Sequence, residues 1–285
     1  MTWEDTIIKI RKDDNYKTLV EQAYFDEDLK LNIERFSKSD EFLETLNIIK
    51  QHAPLAKSIL DVGSGNGISA INFALNSYKV TVIEPDHSAT VGAGAIKILK
   101  KNYALENIDI YEDYAEDISF DENSFDVVYV RQAMHHANNL NKFVKECVRV
   151  LKPKGVLLTI RDHVIYDETD KEWFLRTHPL HKFYGGENAF KSADYKNAIT
   201  KAGAEILKEY KYYDNVINFF PKTVCDLEKT KRTETQKHKK LLEKKIGIIM
   251  KTPLVWYLYK IIKGYDPLNE KEIPGRMYSY LAVKK

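Results

Sequence analysis

A doubly wound α/β fold is what the sequence predicts, on two observations. From Ser58 onward, short β-rich runs alternate with helical segments, the pattern of βαβ units that build a mostly parallel sheet with helices on both faces. The first run, "SILDV", enters a glycine-rich turn and then a helix, "ISAINFALN", the arrangement that places a helix N-terminus beneath a ligand.

Taken in order, the first fifty residues read as helices, "NYKTLVEQAYF", "EDLKLNIERF" and "SDEFLETLNIIKQHA", the last opened by a Ser-Asp start. "KVTVIE", "NIDIY", "FDVVYV" and "GVLLTIR" are the following strands, separated by helices such as "TVGAGAIKILKKNYAL" and "LNKFVKECVRVL". The alternation pauses at the histidine-rich stretch containing "HPLHKFYGGE" and resumes with "SADYKNAITKAG" and "EILKEYKYYD"; "RMYSYLAVKK" is the last strand. The expected organisation is a helical cap over 1–52 and a core over 53–214 interrupted by a lid insertion at 162–191. A basic helical insertion over 215–272 and a final core strand at 273–285 complete it.

At 285 residues, with 44% hydrophobic and 30% charged residues, the chain can bury a large core and lies far from disordered compositions. Two cysteines, Cys147 and Cys225, exclude a disulfide framework and suit a reducing cytosol. The N-terminus lacks a signal-like apolar core, and no run is long enough to span a bilayer. The expected place is therefore the cytoplasm. Charge is uneven: twelve basic residues stand against four acidic ones between Lys222 and Lys263, in a chain of net charge +2. Beside Trp256, Tyr257 and Tyr259, the lysines suit either a peripheral contact with the inner membrane face through 237–263 or a helical hairpin that covers the core or joins two copies. The run lacks the interleaved aromatics of a base-stacking surface, so nucleic acid is not an expected partner.

In "ILDVGSGNG" the glycines let the backbone approach a ligand, and Glu84, ending the next strand, is placed to accept both hydroxyls of a ribose. The spacing is G-x-G-x-G with Asp61 just ahead. A carboxylate there suits a cationic amino-acid end and repels a pyrophosphate. An NAD(P)-dependent oxidoreductase and a cofactor-binding scaffold without turnover are the alternatives.

The ordered motifs "LDVGSGNG", "VIEPD", "AEDISFDENSFDVV", "AMHHANN" and "VLKPKG" resemble the class I S-adenosylmethionine-dependent methyltransferases, in particular the small-molecule group similar to ubiquinone-type enzymes. The resemblance runs from about Leu46 to about Arg161 and implies a Rossmann-like sheet of seven strands. It also implies that Asp61, Gly63, Ser64, Gly65 and Asn66 surround the methionine end of S-adenosylmethionine. Glu84 would hold the ribose, Pro85 and Asp86 flank the adenine, and Arg131 and Gln132 lie beneath the sulfonium. Two positions depart from the family: Tyr114 stands where an Asp is usual, leaving the adenine contact to it and to Ala115, and Lys154 replaces a glycine.

For the acceptor, "RDHV" supplies Arg161, Asp162 and His163 near the strand ends, and the lid adds His178, His181, Tyr184 and Glu187. Three roles stay open for these histidines. One of His163, His178 and His181 can take a hydroxyl proton; His178 and His181 with a carboxylate can bind a divalent ion; or all can order a lid. Proton removal is the role assigned, with Arg161, Asp162, Tyr184 and Glu187 on the acceptor and no metal ligand assigned. His135 and His136 divide evenly between capping a turn and touching a ligand. "RDH" with "HPLHKFYGGENAF" also resembles methyltransferases found among bacterial surface-polysaccharide genes. The expected acceptor is a small molecule or glycan, with oligomeric state left open.

Overall fold

The computed structural model describes residues 1–219, 221–247, 252–263 and 268–285. Four helices come first: α1 (Trp3–Arg11), α2 (Lys17–Gln22), α3 (Leu29–Ser37) and α4 (Asp40–His52). The core runs β1 (Ser58–Val62), α5 (Ile68–Leu75), β2 (Lys79–Ile83), α6 (Ala93–Asn102), β3 (Ile108–Tyr111), β4 (Phe125–Arg131), α7 (Leu140–Val150) and β5 (Leu151–Ile165). It continues through α8 (Glu168–Thr177), α9 (His181–Tyr184), β6 (Phe190–Lys191), α10 (Ser192–Lys201) and β7 (Ala204–Tyr210) to α11 (Val224–Ile246), α12 (Pro253–Lys263) and β8 (Met277–Lys284).

The sheet order is β3-β2-β1-β4-β5-β8-β7, with the two-residue β6 pairing off this path against β5. Among the described strands, β8 runs opposite to the rest, antiparallel to both β5 and β7. Strand residues alternate between two cores, as a period of two demands. Ile59, Val127, Tyr129, Val156 and Leu158 face α3, α4, α5 and α6. Leu60, Val62, Val128, Val130 and Leu157 face α7 and α10. The order reverses between β1 and β4, and open α/β sheets bind ligands beyond the strand ends at such a reversal.

Two differences from the sequence expectation matter for the site. α1 is a helix that the hydrophobic pattern did not single out; Thr2 and Asp5 form its capping box, and Ile7 and Ile10 are buried. Together with Trp3, Leu180 and Tyr184 they form one apolar cluster, so the N-terminal helices and the lid make a joint cover. The lid also begins later than expected, because β5 continues to Ile165. Arg161, Asp162 and His163 look like a strand terminus in sequence, yet Asp162 and His163 pair with Tyr278 and Met277 of β8. A β-bulge lies between Thr159 and Asp162, with Arg161 at φ 62 inside it. Bulges re-aim side chains, and this one accompanies an Arg161 guanidinium that reaches Glu41 of α4.

The basic region forms α11 and α12, as its composition suggests; residues 248–251 of the expected 237–263 contact segment, Lys251 among them, lie outside the described residues. No helix among the described residues is long and apolar enough to cross a membrane.

Candidate active site

β1 ends in Val62, and the turn that follows needs glycine at its first position. Gly63 has φ +68, and a Cβ there would lie 2.5 Å from the Ala133 Cβ. Gly63 N–H donates to the Ile83 carbonyl at 2.8 Å, joining the ends of β1 and β2. Asn66 Nδ2 donates to the Tyr24 carbonyl at 2.7 Å and ties the glycine turn to the N-terminal cap.

Two buried carboxylates face this turn. Glu84 accepts from Gly65 N–H at 2.6 Å and from Asp86 N–H at 2.9 Å, one oxygen each. Burial pushes it up to about 7 in spite of those bonds. Asp61 is 1% exposed; Oδ2 accepts from the Ser64 hydroxyl at 2.8 Å, and Oδ1 makes no hydrogen bond. Burial raises Asp61 to about 7 as well, against the Ser64 bond and the nearby Arg131.

Arg131 and Arg161 lie next to one another in the sheet's upper edge and share a carboxylate the sequence did not bring forward. Glu41, wholly buried on α4, accepts from Arg131 at 2.6 and 3.3 Å and from Arg161 at 3.0 Å. Glu41 offsets part of the charge of the two guanidiniums, and Arg131 also lies near the Asp61 carboxylate. Gln132 follows in the left-handed region, at φ 51. Strained backbone of this kind concentrates at ligand sites.

The histidines gather at the other end. His135, in the turn after β4, donates from Nδ1 to Asp162 Oδ1 at 3.1 Å, and its backbone N–H donates to the same oxygen at 3.0 Å. Its Nε2 lies 3.7 Å from Glu187 Oε2. Burial opposes a charge on His135, but Asp162 and Glu187 outweigh it and push the ring up to about 9. His163 donates from Nδ1 to the Gly275 carbonyl at 2.7 Å, since a carbonyl can only accept. Burial, with the His135 charge, drives His163 well below its usual range, so it is neutral with an open Nε2. Gly275 has φ +57, and a Cβ there would strike the Phe174 ring at 2.1 Å. His178 Nδ1 is buried without a hydrogen bond, 3.7 Å from Glu187 Oε1. Burial lowers His178 too. Glu187 also accepts from the Tyr184 hydroxyl. Although burial opposes it, the surrounding histidines hold the Glu187 carboxyl well below its usual range.

A single cavity of about 800 Å³ joins the two ends, roughly the size that holds a nucleoside and a small acceptor. Asp61, Gly63, Ser64, Gly65, Asn66, Glu84, Pro85, Asp86, Tyr114, Ala115, Arg131 and Gln132 all line it, as do Arg161, His163, His178, Tyr184 and Glu187. Two expectations need correction. Asp162 does not line the cavity; it is fully buried and holds His135. His181 does not line it either: Pro179-Leu180 turns the chain between α8 and α9, and Leu180 anchors that turn in the apolar cover. The sequence alone did not identify Trp3, Glu41 or the central place of His135. The Thr2–Asp5 capping box signals the helix carrying Trp3, but nothing local marks the other two.

A mostly parallel sheet with cavity-lining carboxylates at the ends of β1 and β2 is an arrangement that suits a nucleoside. Residues 60–159 match a family described as "Methyltransferase domain". A phthiotriol/phenolphthiotriol dimycocerosates methyltransferase of Mycobacterium tuberculosis is 34% identical over 101 residues, 35% of each chain. The ubiquinone/menaquinone biosynthesis C-methyltransferase UbiE of Brucella abortus is 29% identical over 127 residues, 42% of this chain and 46% of that protein. A phospholethanolamine N-methyltransferase 2 of Haemonchus contortus, solved with phosphomonomethylethanolamine and S-adenosylhomocysteine, shares the fold. Its TM-score is 0.52 at 18% identity, over 85% of this chain and 52% of that one. Over residues 60–159 the chain is thus similar to a methyltransferase domain, and its matches span less than half the length of these curated relatives.

Proposed function

We propose that this protein transfers the methyl group of S-adenosylmethionine to an oxygen of a small molecule or glycan, with His178 accepting the hydroxyl proton. The observation that carries it is the one cavity running from Asp61 and Glu84 to His178 and Glu187.

The residues fit that cofactor. Asp61 has an unused buried oxygen and Glu84 keeps one lone pair on each oxygen, so an ammonium group and two ribose hydroxyls would satisfy them. Pro85, Asp86, Tyr114 and Ala115, which line the same cavity, would hold the adenine, and Gln132 would stand by the reacting end. Bound there, S-adenosylmethionine supplies an electrophilic methyl group. Glu41 screens Arg131 and Arg161 from a cationic donor. A pyrophosphate would meet Asp61 and Glu84 instead, so an oxidoreductase has no support here.

On the acceptor side, His178 is neutral and its Nδ1 faces Glu187, which orients the ring and stabilises it once protonated. His178 would take the proton of an acceptor hydroxyl whose oxygen receives the methyl group that the bound donor would supply. Trp3, Phe25 and Phe174 line the same space and exclude water.

The basic helices support a lipid-linked acceptor at the inner membrane face. α12 exposes Leu254, Tyr257, Leu258, Ile261 and Ile262 beside the lysines of α11.

Calorimetry with S-adenosylhomocysteine tests the cofactor: binding is expected, weakened by Glu84→Ala by about 1.5–3 kcal/mol, the worth of hydrogen bonds to a charged group. Absence of binding overturns the proposal. Methyl transfer from labelled donor into fractionated cell envelope and cytosol then identifies the acceptor. His178→Ala is expected to slow it about 10²- to 10⁴-fold with cofactor affinity intact. Cofactor binding with no transfer into any fraction would make the protein a scaffold.

A further inference from the structure

We infer that His135, His163 and Glu187 form a binding site for a divalent transition-metal ion on the acceptor side of the cavity. One ligand atom from each of the three residues lies within 4.8 Å of the others. Their arrangement is the two-histidine, one-carboxylate set that suits borderline first-row ions such as Co²⁺, Fe²⁺ and Zn²⁺.

Three features go beyond proximity. Both imidazoles have Nδ1 committed, His135 to Asp162 at 3.1 Å and His163 to the Gly275 carbonyl at 2.7 Å, leaving Nε2 as the ligand atom in each. Metal-binding histidines are held in this way, by a carboxylate or carbonyl on the far nitrogen. Glu187 Oε2 is buried and has no hydrogen-bond partner, although it lies 3.7 Å from His135 Nε2. The three residues come from different elements, the turn after β4, β5 and the lid, so the carboxylate completes the set only when the lid is in place. Ligands at about 2.1 Å from an ion stand roughly 3–3.5 Å apart, so binding draws the lid carboxylate inward. The proton on His135 Nε2 leaves to solvent as the ion takes that lone pair.

The inference rests on the proposed function in one respect, the role of the ion. A methyl acceptor whose hydroxyl oxygen ligates the metal would be more acidic, and His178, on the other oxygen of Glu187, would stand next to its proton.

The test is calorimetric and optical titration of the chelator-treated full chain with Co²⁺. One equivalent with visible ligand-field absorption is expected. Glu187→Gln and His163→Ala should each weaken Co²⁺ binding at least about tenfold, and Asp162→Asn about ten- to a hundredfold, the usual effect of a residue behind a metal ligand. S-adenosylhomocysteine affinity of Glu187→Gln should stay within about twofold of the original, which shows that the variant is folded. A protein that binds S-adenosylhomocysteine but not Co²⁺ overturns the metal site and leaves the methyltransferase proposal standing. Undiminished Co²⁺ affinity in both Glu187→Gln and His163→Ala also overturns it, placing the ion elsewhere. Co²⁺ binding that follows the variants, without S-adenosylhomocysteine binding, upholds the site and overturns the proposed function.

Discussion

Glu41 shows how much of the site hangs on one side chain outside every motif. It is wholly buried, and it pairs with both Arg131 and Arg161 from 90 and 120 residues away in sequence. Removing one partner of a buried ion pair strands the other charge, typically at about 3–5 kcal/mol. Glu41→Gln should lower unfolding free energy in urea by about that amount, and a loss under about 1 kcal/mol would show that the arginines find other partners. Such a residue is illegible in sequence because its partners arrive only through the fold. His135 is similar: the His-His pair is visible, but its chemistry depends on Asp162, 27 positions on, and on a lid carboxylate. By contrast Asp61 and Glu84 were legible, since each is fixed by the strand and turn that carry it.

Among elements, β1 to β4 read directly, because buried parallel strands are short apolar runs bounded by turns. β5 misled at Arg161, Asp162 and His163, where three polar residues continue a strand because Glu41, His135 and Gly275 satisfy them. The ends of β1 and β2 carry a pH consequence. Asp61 and Glu84 titrate near 7 in the fold and near their usual values when unfolded. The unfolded chain therefore holds fewer protons across that window, and stability of the ligand-free protein from these groups falls as pH rises from about 4.5 to about 7. Cofactor affinity runs the other way, because the ionised carboxylates are the binding form. S-adenosylhomocysteine affinity should rise between about pH 5.5 and pH 8, and Glu84→Gln should flatten that rise. An unchanged slope in Glu84→Gln would assign the dependence to other groups.

For the whole molecule, the basic segment was legible as a charge run but not as a surface, since its exposed apolar residues appear only when α12 is seen turned outward. Vesicles containing anionic lipid should retain the protein in a sedimentation assay, neutral vesicles should not, and Leu258→Glu with Ile262→Glu should abolish retention. Each lysine near such a surface contributes about 1 kcal/mol, so retention should also fall steeply with salt. Retention by neutral vesicles in high salt would mean that charge plays no part.

The placement of β8 sets an order in time. Met277–Lys284 lies between β5 and β7, two strands that have been waiting since long before it is translated. Until those eight residues have emerged from the ribosome, the sheet edges at β5 and β7 stay open to one another or to a second nascent chain. The sheet is therefore completed only once β8 has emerged and inserted between its two neighbours, and dependence on chaperones should be greatest in that interval.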